Sequence, residues 1–211
     1  MSDSVQETLE GLRRYFNKTI SEYGASAKGV DWKDETSQHI RFDQLMKIVR
    51  DPSQPFSLLD FGCGWGALVR YLQERGYQDV TYIGYDMTEA VVAEARKVYA
   101  GLDWARFTTQ LSDVPQVDYV VGSGLFNMKI NADEAAWQQH MLTTIEQMWG
   151  FCTRGLAFNS LTAYSDAEYM RADLYYPLPE DVFGFCKRKL SRNVALLHDY
   201  ELYDFTILVR R

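Results

Sequence analysis

Leu58-Leu59-Asp60-Phe61-Gly62-Cys63-Gly64-Trp65-Gly66 is the stretch that decides how this chain folds. Phe56 to Phe61 is a short apolar run with one acid near its end, bounded by Pro55 and by glycines. That composition predicts a strand buried on both faces that feeds a tight turn. Ala67-Leu68-Val69-Arg70-Tyr71-Leu72 resumes at helical spacing, so strand, glycine turn and helix follow one another directly. Glycine permits positive φ and lets a ligand lie against bare backbone. The helix behind the turn aims unpaired N–H groups and a positive dipole end at it. Such a turn is expected to hold a nucleotide-like small molecule.

Two ligand classes compete for it. Gly62-x-Gly64-x-x-Ala67 satisfies the dinucleotide pattern, which is a weak signal by itself. Read as Asp60-x-Gly62-x-Gly64-x-Gly66, the same loop resembles the first motif of the class I S-adenosylmethionine-dependent methyltransferases. Asp60 at the strand end would repel a pyrophosphate but not a sulfonium–amino-acid ligand. Val80 to Met87 is a second strand carrying Asp86, a spacing that suits either ligand. The end of the sequence separates the two. Val194 to Tyr200 and Asp204 to Val209 read as a hairpin, and the methyltransferase sheet finishes with a hairpin whose last strand is antiparallel.

With 211 residues and 46% hydrophobic content, the chain is expected to form a single domain with one sizeable core. A net charge of −7 argues against nucleic acid, which calls for a clustered basic face. Cys63, Cys152 and Cys186 share no metal spacing and read as buried thiols of a reducing cytoplasm, and no metal site is expected. No run reaches the length of a membrane span, and Met1-Ser2-Asp3-Ser4 does not read as a signal peptide.

The expected architecture is α/β: a doubly wound seven-stranded sheet, mostly parallel, under an N-terminal helical cap of residues 1–52. In the cap Val5, Leu9, Leu12, Tyr15 and Phe16 share one helical face, and Ile40, Phe42, Leu45, Met46 and Val49 mark a second helix. In the core, strands are expected at 56–61, 80–86, 105–111, 117–122 and 155–160. Helices are expected up to about 75 and at 88–100, 133–149 and 179–189, with Thr88 as an N-cap.

The methyltransferase resemblance implies S-adenosylmethionine as cofactor and a set of site residues. Asp60, Gly62, Cys63 and Gly64 would face its methionine part, and Asp86, followed by Met87, its ribose hydroxyls. The acid that often meets adenine after strand three is missing from Thr109-Gln110-Leu111-Ser112, leaving Gln110, Leu111 or a backbone group for that contact. Ser123 and Gly124, after strand four, are further cofactor candidates. Gln38 and Arg41 lead into strand one. An arginine there either pairs with the methionine carboxylate or lies on a solvated helix face.

On the acceptor side the candidates are Asn127, Tyr15 and His198, the last as a general base beside Asp199. His39 and His140 read as solvated helix residues. Tyr15, Tyr23, Trp32, Tyr164, Tyr169, Tyr175 and Tyr176 are candidate rings over the site, with Tyr15 to Trp32 as a lid. The resemblance implies methyl transfer to oxygen or nitrogen of a small-molecule acceptor by a cytoplasmic monomer or homodimer, with no nucleic-acid or membrane partner. An NAD(P)-dependent oxidoreductase and a cofactor-binding subunit without turnover are the alternatives.

Overall fold

The computed structural model describes residues 3–26, 28–30 and 34–211. Its core is one seven-stranded sheet in the order β3-β2-β1-β4-β5-β7-β6. The strands are β1 (Phe56–Phe61), β2 (Val80–Tyr85), β3 (Ala105–Thr108), β4 (Val117–Gly122), β5 (Cys152–Leu161), β6 (Asn193–Leu197) and β7 (Asp204–Arg210). Neighbours from β3 to β5 run parallel, and β7 lies antiparallel between β5 and β6. The expected hairpin and antiparallel last strand are both present.

The helices are α1 (Asp3–Tyr23), α2 (Glu35–Leu45), α3 (Ala67–Glu74), α4 (Glu89–Val98), α5 (Glu134–Phe151) and α6 (Pro179–Lys189). They form two layers because the parallel strands are apolar on both faces. Phe42 and Leu45 of α2, Leu68 and Leu72 of α3, and Val91, Val92 and Ala95 of α4 pack on one face. Trp137, Met141, Ile145 and Met148 of α5, with Val182 and Cys186 of α6, cover the other. The cap helix α1 belongs to both layers, with Ile20 in the first cluster and Val5 and Leu12 in the second.

Several boundaries move. β2 stops at Tyr85, leaving Asp86 in the following turn, and β3 is only four residues long. Thr88 stands at the N-cap of α4, but its side chain makes no capping hydrogen bond. α2 begins at Glu35, where the Asp34 carboxylate accepts the Ser37 N–H at 2.7 Å. It ends in a 3-10 turn over Met46–Ile48.

A buried ion pair ties the cap to the last strand. Arg41 of α2 and Asp204 of β7 are 8% and 0% exposed, and the guanidinium engages both carboxylate oxygens through Nε and Nη2. Nη1 also donates to the Ser37 carbonyl at 3.0 Å. Removing one member leaves an uncompensated buried charge, so Asp204→Asn should cost about 3–5 kcal/mol in urea unfolding. The double variant Arg41→Met, Asp204→Leu should recover most of that loss. A single variant as stable as the parent would show that the pair contributes nothing to the fold.

Candidate active site

β1 lies between β2 and β4, so the sheet changes winding direction at the carboxyl end of β1, where open α/β sheets bind ligands. A cavity of about 360 Å³ lies there. The turn after β1 supplies Gly62, Cys63, Gly64 and Trp65, the end of β2 supplies Tyr85 to Thr88, and Ser123 to Leu125 follow β4. Gly62 and Gly64 have φ of +80° and +55°. A Cβ on either would lie 2.8 Å from Leu125 Cδ1 or 2.9 Å from Val30 Cγ1, so only glycine keeps this wall open. Gly66 serves packing instead, since a Cβ there would strike the Tyr99 and Phe107 rings where α3 meets the sheet.

Two carboxylates face this cavity. Asp60 is 4% exposed and accepts the Tyr82 hydroxyl at 2.7 Å. Burial lifts its pKa to about 7, against the Tyr82 hydrogen bond and helped by the charge of Asp86. Asp86 accepts the Gly64 N–H at 3.1 Å and the Thr88 N–H at 2.9 Å. Burial raises its pKa too, while those two N–H groups pull it back. Beside it, burial holds the Cys63 thiol protonated.

The cap closes the cavity. Leu9, Leu12, Arg13 and Phe16 of α1 line it, as does Val30. The segment behind α1 is pinned by the Trp65 Nε1 bond to the Ser26 carbonyl at 3.0 Å and the Thr19 hydroxyl bond to the Gly29 carbonyl at 2.9 Å.

A second cavity of about 740 Å³ adjoins the first, and Phe16, Val30 and Gly124 line both. Its walls carry Asn127, Met128, Leu161, Leu174 and Tyr200 to Asp204, together with Arg41 and Arg171. Arg171 pairs with Asp173 at the surface, and Arg41 is held by Asp204.

Of the sequence candidates, Asp60, Gly62, Cys63, Gly64, Asp86, Met87, Leu111, Ser123, Gly124 and Gln38 all line the first cavity. Asn127 lines the second. The remaining ones lie elsewhere. Arg41 is neither on a solvated face nor in the first cavity, because Asp204 draws its guanidinium inward. Gln110 is exposed, and Leu111 occupies the wall in its place. Tyr15 is 37% exposed and lines neither cavity, since the next position, Phe16, takes the inward phase of α1. His198 is exposed, packs against Tyr164 with the rings tilted and their centroids 6.0 Å apart, and lies outside both cavities.

The expected tyrosine rings do not line either cavity; Phe16, Tyr200 and Tyr203 supply the aromatic wall of the second. Tyr175 is core, and Trp32 lies outside the described residues. His140, read from the sequence as a solvated helix residue, lines the first cavity. With Thr144 and Gln147 it forms an i, i+4, i+7 stripe of α5 along the first cavity. Burial lowers its pKa, keeping the imidazole neutral. The stripe flanks the apolar line Trp137, Met141, Ile145 and Met148, and that adjacency was a readable signal. Among the described residues, no group of three or more His, Cys, Asp or Glu could hold a metal ion.

The chain belongs to the class I S-adenosylmethionine-dependent methyltransferases. The family model of the methyltransferase domain matches residues 58–148. A Mycobacterium tuberculosis (strain H37Rv) protein bearing the name of a methyltransferase, Rv1506c, is 43% identical over 166 residues, which are 79% of this chain and 99% of the relative. N-methyltransferase NodS from Bradyrhizobium japonicum WM9, solved with S-adenosyl-L-homocysteine, superposes with a TM-score of 0.63 at 16% identity, over 92% of this chain and 97% of that one. The bifunctional kinase-methyltransferase WbdD gives a TM-score of 0.57 at 14% identity, over 92% of this chain but only 45% of WbdD, so this chain spans under half of that protein. At such identities the two structures share the fold alone.

The Asp60 carboxyl sets a pH dependence. Its pKa rises from the ordinary carboxylate value near 3.9 to about 7 on folding, so burial favours the protonated form. The stability this contributes is full below pH 4 and is lost as pH rises through 7. Between about pH 5 and 8, the wild type should therefore lose unfolding free energy relative to Asp60→Asn, measured by urea titration at each pH. Parallel stability curves would mean that Asp60 stays ionised throughout.

Proposed function

We propose that the protein transfers a methyl group from S-adenosylmethionine to an oxygen or nitrogen of a small-molecule acceptor, working as a single methyltransferase domain. The observation that carries this reading is the meeting of two cavities at Phe16, Val30 and Gly124. One cavity is lined by two carboxylates and a bare glycine turn, the other by mixed apolar, aromatic and polar walls.

The residues present fit the cofactor. Asp86 suits a ligand bearing a sulfonium and an ammonium and would oppose a pyrophosphate, and Asp60, with its pKa lifted to about 7, ionises more readily once such a cation lies beside it. A carboxylate can accept about four hydrogen bonds, so Asp86 keeps capacity for two ribose hydroxyls beyond its Gly64 and Thr88 bonds. The Ser123 hydroxyl is buried without a hydrogen-bond partner and lines the same cavity, as a group awaiting a ligand would. Met87 and Leu111 offer apolar contact for the adenine, and the His140–Thr144–Gln147 stripe lies along the same wall.

S-adenosylmethionine, when bound, supplies an electrophilic methyl group on a sulfonium. The protein's work is alignment and the exclusion of water. Phe16 and Val30 roof the junction with apolar side chains, and Gly124 leaves room beneath them. The described part of the Tyr15-to-Trp32 segment packs over the site through Ser26, Gly29 and Val30, and its opening would admit both ligands.

The acidic net charge supports an acceptor other than nucleic acid. No helix among the described residues is long and apolar enough to cross a membrane. A cytoplasmic enzyme acting as a monomer or homodimer accords with these properties.

Asp86→Ala should weaken S-adenosylhomocysteine binding at least about tenfold in calorimetry, as expected for losing hydrogen bonds to a charged group. The parent should bind S-adenosylmethionine more tightly than NADH. Unchanged affinity in the variant would remove Asp86 from the site, and tighter NADH binding would overturn the cofactor assignment. Methylated product detected by mass spectrometry across a metabolite panel would distinguish an enzyme from a subunit that only binds cofactor.

A further inference from the structure

The loop after β4 is clasped to the end of β5 by two asparagines acting in opposite directions. Asn159 of β5, fully buried, accepts the Gly124 N–H through Oδ1 at 2.6 Å. Asn127 of the loop accepts the Leu161 N–H through its own Oδ1 at 3.3 Å. The Asn127 carbonyl also receives the Tyr175 N–H at 2.8 Å, and Met128 bridges to Leu174. The backbone on both sides of Asn127 is therefore fixed.

This clasp has a chemical consequence. A main-chain N–H can only donate, so the Leu161 bond selects the oxygen of the Asn127 amide and fixes its orientation. Asn127 lines the second cavity beside Gly124. With its oxygen already accepting from β5, the atom of the amide with its full capacity left for a ligand is Nδ2, which is purely a donor. We propose that Asn127 determines acceptor specificity by donating from Nδ2 to a carbonyl or carboxylate oxygen of the acceptor, close to where the two cavities meet. The inference rests on the second cavity being the acceptor site.

The rest of the lining agrees with this polarity. Arg171, another obligate donor, stands on the same cavity. Its pairing with Asp173 joins a surface pair two positions apart, a type of contact of small stability. Of the two acids on the wall, Asp204 is held by Arg41, while Glu201 is exposed. Phe16, Leu161, Leu174, Tyr200 and Tyr203 provide apolar and aromatic surface for the acceptor's body. The ligand that fits has a flat or apolar body and an oxygen that accepts hydrogen bonds.

Benzoate, benzamide and benzylamine share a ring and differ in the polar group, so they serve as probes. Each is titrated into the S-adenosylhomocysteine complex of uniformly ¹⁵N-labelled protein, so that the backbone amides lining the second cavity and the asparagine side chains are followed together. The Asn127 side-chain amide is identified as the signal missing from Asn127→Asp. Benzoate and benzamide should shift that signal saturably, and benzylamine should not.

Asn127→Asp keeps the oxygen that accepts the Leu161 N–H but replaces the donor with an acceptor. It should weaken benzoate binding at least about tenfold, with unchanged melting temperature and unchanged S-adenosylhomocysteine affinity. Benzoate binding equally well to both proteins, or binding within the cavity without moving the Asn127 amide, would overturn the proposal while leaving the cavity as the acceptor site. If no probe perturbs any residue of the second cavity, the acceptor-site reading fails and this inference fails with it.

Discussion

The Asp86 carboxylate holds the site together. One of its oxygens takes the N–H of Gly64 and the other the N–H of Thr88, so one side chain fixes the turn after β1 to the start of α4. Bonds from a backbone N–H to an ionised acceptor are among the stronger hydrogen bonds, and here they hold the glycine turn in a conformation only glycine adopts cheaply. The Tyr85 carbonyl adds to the fixation by accepting the N–H groups of Gly62 and Cys63 at 2.7 and 2.9 Å. Desolvation opposes this arrangement by favouring the protonated carboxyl, and the two N–H bonds oppose desolvation. The cavity wall is thus preorganised before any ligand arrives.

Much of this was legible because it is local. A strand rich in Leu and Phe, three alternating glycines and a resumed helical period lie within twenty residues, and each signal acts through its chain neighbours. Asp60, Asp86 and Ser123 were equally accessible, because a doubly wound sheet brings the carboxyl ends of successive strands to one edge. Helix phase and long-range pairing were less so. Tyr15 and Phe16 differ by 100° around α1, and which of them turns inward depends on how α1 lies against α4 and α5. Arg41 shows the same limit: its partner Asp204 is 163 positions away. Nothing beside the arginine in sequence says that the carboxylate it meets belongs to β7 rather than to a ligand.

His140 and His198 exchanged places for a related reason. His198 follows the edge strand β6, and edge position leaves it exposed although it sits at the correct end of the sheet. His140 lies on a helix whose flank would face water if α1 were absent. The cap turns that flank into an interior wall, so a polar stripe ordinarily solvated becomes part of a cavity. Polar residues on a helix flank describe a surface only until the rest of the chain has been placed.

The insertion of β7 between β5 and β6 bears on the order in which the chain can acquire its structure. β6 pairs with β7 alone, so when the ribosome has delivered residues 193–197 they have no strand to join. β5 meanwhile presents an open edge, and α2 lacks the carboxylate for its buried arginine. All three needs are met together when residues 204–210 emerge. Until then a nascent chain carries an unpaired apolar strand edge, the kind of surface that templates association between copies. Vectorial synthesis therefore leaves β5 with an open edge until the strand that covers it arrives.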